Sequence, residues 1–203
     1  MILKSPAVSQ VLLVRPGATE FDDQGRIKGC MDMPLSETGR QQVELLADQV
    51  SHIPCRTVYT APCESARETA EILATHLTDP DRVDRGRPAK VKVIDCLRNL
   101  DHGLWHGKLI DELKRNHPKL YRRGQETPWD ICPPGGESIS DAQIRVEKAL
   151  RKLLKKSHDD LVAIVIPDPM AWIVQAMLAG ESLSNLWQAE TDSGKWDVID
   201  PVW

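Results

Sequence analysis

The stretch "VLLVRPGATE", Val11–Glu20, decides the fold. Val11 to Val14 run without a polar break and stop at Arg15, Pro16 and Gly17. A continuous apolar run of this kind marks a strand buried on both faces, as in a parallel sheet. In open α/β sheets the loops that follow such strands line the crevice where ligands bind. Yet the middle of this loop is Pro16, whose side chain has no donor, acceptor or titratable proton.

Two further stretches follow the same plan. "RTVYTAP" (56–62) and "LVAIVIP" (161–167) are β-branched and apolar, and each is stopped by a proline. "KVKVIDC" (90–96) alternates and is expected to be a half-buried strand near an edge. Helical spacing lies between the strands. Val43, Leu46, Ala47, Val50 and Ile53 share one face, as do Ala66, Ala70, Leu73 and Leu77, and again Ala142, Val146, Ala149 and Leu153. Strands alternating with helices predict an α/β protein: a three-layer α/β/α sandwich around a mostly parallel sheet. No repeat or linker interrupts residues 1–203, so a single domain is expected. A mixed segment at about 98–138, partly helical near 108–123, is read as an insertion over the sheet edge.

Composition narrows the function classes. Hydrophobic residues make up 41% and charged residues 28%, as in a water-soluble domain. A formal net charge of -4 gives no general attraction to nucleic acid or to a membrane surface. The basic stretch "KALRKLLKK" is expected to be the solvated face of a helix. The N-terminus does not resemble a signal peptide. The longest apolar run is far shorter than the roughly 20 residues that span a bilayer. An odd count of five cysteines without a CxxC pair predicts neither a disulfide framework nor a zinc ribbon, and a reducing cytoplasm is the expected location. Trp187, Trp196 and Trp203 crowd the C-terminus and are expected to cover the core rather than an interface.

Five motifs in order resemble the histidine phosphatase superfamily, which includes the phosphoglycerate mutases. "LLVRPGATEFDDQGRIKGCMDMPLSETGRQQ" resembles L-x-R-H-G-x-T, then G-R-x-x-G, then D-x-P-L-S/T-x-x-G-x-x-Q. "VYTAPCESARETA" looks like V-Y-S-S-P-L-x-R-A-x-Q-T-A, and "LRNLDHGLWHG" looks like L-R-E-x-D-F-G-x-W-E-G. "PPGGES" before a helix, and "VAIVIPDPMA" in place of V-V-S-H-G-G, complete a match from about residue 10 to 180. The resemblance implies a phosphoglycerate mutase-like fold. It also implies a chemistry in which a histidine takes a phosphoryl group, two arginines and a second histidine neutralise the phosphate, and a glutamate protonates the leaving group.

At the matching positions this chain keeps only the first arginine, Arg15. The nucleophile position is Pro16, the second arginine position Ser65, the acid position Asn99 and the second histidine position Asp168. The expectation is a degenerate member without phosphohistidine chemistry, a pseudoenzyme that binds a small molecule or a protein. The alternative is an active phosphatase or phosphomutase with an unrecognised nucleophile, such as Cys63 near a helix start. Thr19, Asp22, Arg26, Lys28 and His102 are candidates for the pocket rim. His102, His106 and Asp168 are residue types that could hold a metal, but packing roles are expected for the histidines, and no metal or cofactor is expected. Asp168 before Pro169 reads as a helix N-cap, with the proline in the first turn. Arg15 and Asp168 are expected to meet at the sheet edge, the carboxylate standing where a substrate phosphate sits in a relative.

Overall fold

The computed structural model describes residues 10–77, 88–156, 161–183, 186–189 and 193–202. The apolar runs form the strands β1 (Gln10–Val14), β2 (Thr57–Thr60), β3 (Lys90–Val93) and β4 (Leu161–Val165). A further strand, β5 (Trp196–Ile199), completes a five-stranded sheet in the order β3-β2-β4-β1-β5. All neighbours pair in parallel except β5, which runs antiparallel to β1. β3 is an edge strand, and three of its four residues are exposed or nearly so, in keeping with its alternating sequence. β1 and β4 pair in the middle of the sheet, Val11 opposite Val162 and Val14 opposite Val165, and Val11 to Val14 are fully buried.

The helices are α1 (Glu20–Asp23), α2 (Glu37–Val50), α3 (Glu64–His76), α4 (Ile110–Asn116), α5 (Pro118–Glu126), α6 (Ile139–Lys156), α7 (Met170–Ala179) and α8 (Leu186–Ala189). From β1 to β2 to β3 the chain moves one way across the sheet, and from β3 to β4 to β5 it moves back. Right-handed crossovers therefore place α2 and α3 on one face and α6 on the other, where α7 packs beside α6, and the three layers follow. The apolar stripes read from sequence face inward. Val43, Ala66, Ala70, Leu73, Ala142 and Val146 are fully buried, while Lys148, Arg151 and Lys152 stay on the solvent side of α6. No described helix is long and apolar enough to cross a membrane.

The connection after β1 leads to one face, and the connection after the adjacent β4 leads to the other. The loops at Arg15 and Asp168 thus flank the point where the topology reverses, the place where open α/β sheets form a crevice.

Residues 98–138 hold α4, α5 and three-residue 3-10 turns at Gly103–Trp105 and Pro128–Asp130. They pack on the arm 25–29: Arg26 bridges to Leu109, Ile27 N–H donates to Lys108 O at 2.9 Å, and Gly107 N–H donates to Ile27 O at 2.9 Å. Trp187 is buried against this segment. It stacks on Tyr121, with ring centroids 5.3 Å apart, and its indole N–H donates to Tyr121 O at 2.8 Å. Trp196 is half-buried and donates to Gln49 Oε1 at 3.0 Å; Trp203 lies outside the described residues.

The start of α2 sits directly on the loop after β1. A Cβ at Gly39 would stand 1.9 Å from Ala18 O, and one at Gly17 would stand 2.3 Å from Gly39 O. Backbone cannot yield as a side-chain tip can. Gly39→Ala is therefore expected to destabilise the protein by about 1–3 kcal/mol, the range of an overpacked core. A urea titration should show this as a lower midpoint at unchanged slope; an unaltered midpoint would mean that helix and loop separate at little cost.

Candidate functional site

Arg15 is 4% exposed and its guanidinium is surrounded. Nε lies 2.8 Å from Asp168 Oδ2. Nη1 donates to Asp197 Oδ2 at 2.7 Å, and Nη2 donates to Gln175 Oε1 at 2.6 Å. The contact expected from sequence between Arg15 and Asp168 is direct. Asp197 on β5 and Gln175 on α7 were not among the expected site residues. Two carboxylates face one guanidinium, so the cluster carries no surplus positive charge.

Asp168 joins two structures. Its Oδ1 accepts the backbone N–H of Trp172 at 3.0 Å. The N-cap position of α7 is Pro169 and the helix begins at Met170, one residue later than the N-cap reading of Asp168. The carboxylate still receives a first-turn N–H, but from outside the cap position. It carries both the helix terminus and the arginine, an arrangement that suits a negative group at a helix N-terminus.

Asn99 is 2% exposed and engaged at both ends of its amide. Nδ2 donates to Gly29 O at 2.9 Å and to Asp168 O at 2.7 Å, and Oδ1 accepts Met170 N–H at 3.3 Å. It ties the arm 25–29 to the loop after β4. A carboxylate in its place would face two carbonyl oxygens without a proton to offer them.

Pro16 is buried, and its carbonyl accepts Gly194 N–H at 2.8 Å. Gly17 N–H donates to Thr69 Oγ1 at 3.3 Å, and Thr69 Oγ1 donates to Ser65 O at 2.8 Å. The loop after β1 is thereby brought to the first turns of α3. Ser65 is 1% exposed. The first N–H groups of α3 are occupied: Glu64 N–H donates to Asp32 Oδ1 at 2.6 Å and Ser65 N–H to Met33 O at 2.9 Å. Cys63 is the N-cap residue, and its Sγ lies 3.8 Å from Ser65 Oγ.

The expected rim residues do not form an open rim. Thr19 and His102 are fully buried, and Lys28 nearly so. Asp22 Oδ2 accepts from Thr19 N and Thr19 Oγ1, both at 2.7 Å, and pairs with Lys28 Nζ at 2.7 Å. Thr19 and Asp22 cap the short α1, and Asp22 neutralises Lys28 in the same contact. Arg26 turns aside, donating to Gly107 O at 2.6 Å and to Gln24 Oε1 at 2.8 Å. His102 stacks on Trp105 with centroids 6.3 Å apart, a packing role. Three of these five polar side chains, Thr19, Asp22 and Lys28, satisfy one another, because a buried polar group without a partner is costly.

Cys30 follows Gly29 at the end of the arm. Cys30 is exposed, but partial desolvation of its thiol, then the neighbouring Asp101 carboxylate, raise it above the ordinary cysteine value. A raised value leaves less thiolate at a given pH. Cys30 is therefore expected to alkylate more slowly at pH 8 than a free cysteine, and Asp101→Asn is expected to speed it. Mass spectrometry of timed iodoacetamide quenches reads both rates, and equal rates with and without Asp101 would refute the assignment.

The comparisons agree with this architecture. The profile of the histidine phosphatase superfamily (branch 1) matches residues 11–201. The chain is 28% identical over 190 residues to phosphoserine phosphatase 1 of Hydrogenobacter thermophilus, covering 94% of this chain and 85% of that one. It is 27% identical over 165 residues to phosphoglycerate mutase-like protein 4 of Arabidopsis thaliana, covering 77% of this chain and 65% of that one. Among solved structures it is similar to a mycobacterial glucosyl-3-phosphoglycerate phosphatase in complex with VO3, at TM-score 0.76 and 21% identity over 94% of this chain and 92% of that one. It is also similar to the alpha-ribazole phosphatase of Shigella flexneri, at TM-score 0.71 and 22% identity over 94% of this chain and 90% of that one.

Proposed function

We propose that this chain, which belongs to the histidine phosphatase superfamily, has lost that family's phosphoryl transfer and serves as a non-catalytic binding or regulatory protein. One observation carries the reading. Arg15, the cation the resemblance assigns to the phosphate, lies against Asp168 and bonds to Asp197 and Gln175 instead. Pro16 beside it offers no nucleophile, and Asn99 offers no proton to a leaving group. The helix N-termini that could hold an anion already have acceptors from the chain: Asp32 and Met33 at α3, Asp168 and Asn99 at α7. The ligand class is a small molecule or a protein taken by the old crevice or another face, within the cytoplasm. Nucleic acid and membrane surfaces are not partners, in keeping with the net charge of -4.

The test is covalent trapping. After incubation with a phosphate donor, the protein is expected to carry no phosphoryl group on any residue of the crevice. A phospho-enzyme mapped there would overturn the reading.

The second reading is an active phosphatase or phosphomutase acting on a phosphorylated small molecule through an unrecognised nucleophile. The phosphatase and mutase names of the relatives favour it. It predicts turnover of a generic phosphate ester, with or without Mg2+ or Zn2+. That turnover would survive Pro16→Ala and disappear in Cys63→Ala or His102→Ala. The first reading predicts none in any of them.

A further inference from the structure

We propose that Cys30, Asp101 and His106 bind one divalent transition-metal cation of the Zn2+ class, at a site separate from the Arg15 cluster. The sequence suggests a different set, His102, His106 and Asp168. The fold separates that set: His102 is buried on Trp105, and Asp168 faces Arg15. It brings His106 to two other donors instead. Cys30 Sγ is 3.7 Å from His106 Nε2, and His106 Nε2 is 3.7 Å from Asp101 Oδ1. All three donor atoms lie within 4.8 Å of one another. A tetrahedral Zn2+ with bonds of about 2.0–2.3 Å holds its ligand atoms roughly 3.3–3.8 Å apart. Two of the three separations already fit.

The backbone around the cluster is shaped for it. Gly29 has φ +53, and a Cβ there would stand 2.4 Å from His106 Nε2, so the imidazole rests against bare backbone. Asp101 Oδ1 accepts Gly103 N–H at 2.9 Å, which fixes the carboxylate. His102 N–H donates to His106 Nε2 at 3.3 Å, so in this arrangement Nε2 is an acceptor whose lone pair is held by that N–H. A metal takes that lone pair in exchange for a long hydrogen bond. Cys30 is exposed, so the cation enters from solvent, and the thiol releases its proton to solvent on binding.

The donor types choose the metal. One sulfur, one imidazole nitrogen and one carboxylate oxygen suit Zn2+ or Co2+, whereas Mg2+ and Ca2+ require oxygen-rich shells. Three protein donors leave a fourth position for water.

The full chain, reduced and stripped with a chelator, should be titrated with Co2+ alone. The expected result is saturation at one Co2+ per chain, a thiolate-to-cobalt charge-transfer band, and displacement by one equivalent of Zn2+. Cys30→Ser should abolish the band. Asp101→Asn should weaken binding at least about tenfold, the lower end of what disturbing a metal shell costs. Replacing both Cys96 and Cys132, the other exposed thiols, should leave the band intact. No saturable binding by the wild-type chain, or a band that persists in Cys30→Ser, overturns the proposal. Cys30 is at the surface and Cys30→Ser is close to isosteric, so a folded variant is expected, and circular dichroism verifies it.

Discussion

Pro16→His is expected to show no turnover of phosphate esters above background, even though it restores the residue type that the family resemblance assigns to the nucleophile. A new imidazole at this point meets an arginine already engaged with Asp168, Asp197 and Gln175. It meets a serine at the second arginine position, and an asparagine whose amide is fully used at the acid position. Groups that act as a unit are strongly non-additive: restoring one member alone recovers almost nothing. Reversing the four positions seen in sequence, with Pro16→His, Ser65→Arg, Asn99→Glu and Asp168→His, still leaves Asp197 bonded to Arg15. The structure therefore predicts that the fourfold variant remains weak and that adding Asp197→Asn improves it. Steady-state hydrolysis of a chromogenic phosphate ester, read beside phosphohistidine trapping, separates these cases. A single Pro16→His variant as active as a working family member would refute the argument.

Much of this arrangement was legible before the structure, and the reasons are specific. β1 and β4 are buried on both faces, so their sequences are unbroken apolar runs that end visibly at Arg15 and Pro167. Once both strands are parallel neighbours, the meeting of Arg15 and Asp168 follows from topology. β5 gave a weaker signal. It is four residues long and pairs on one side only, and "WDVI" alternates for less than the span that separates a strand from a turn. Missing β5 meant missing Asp197. Gln175 left a trace, since it is the one polar residue in the apolar helix "MAWIVQAMLA", and a polar side chain in such a helix needs a partner. The rim residues are a different case. Sequence places Thr19, Asp22 and Lys28 near the crevice but does not show that they satisfy one another.

Asp168→Asn is expected to raise the affinity for vanadate or phosphate about tenfold or more, which corresponds to roughly 1.4 kcal/mol. Asparagine keeps an oxygen for Trp172 N–H, so the start of α7 is retained. What it removes is a negative charge 2.8 Å from Arg15 Nε, on a side chain only 5% exposed. Of the two carboxylates that face Arg15, the substitution leaves only that of Asp197. An incoming anion then escapes a like charge in a poorly solvated place, where a unit charge at 4 Å is worth about 4 kcal/mol at an effective dielectric of 20. Because the anion must still displace Asp197 from Arg15, only part of that repulsion is recovered as affinity. The same change weakens the fold. Losing the sole partner of a buried charge costs about 3–5 kcal/mol, and here Asp197 and Gln175 remain, so a loss of about 1–3 kcal/mol is expected. Affinity and stability should therefore move in opposite directions in this one variant, read by isothermal titration and by urea unfolding. If vanadate binds wild type and Asp168→Asn alike, Asp168 is not an internal substitute for the phosphate, and the Arg15 cluster has another use.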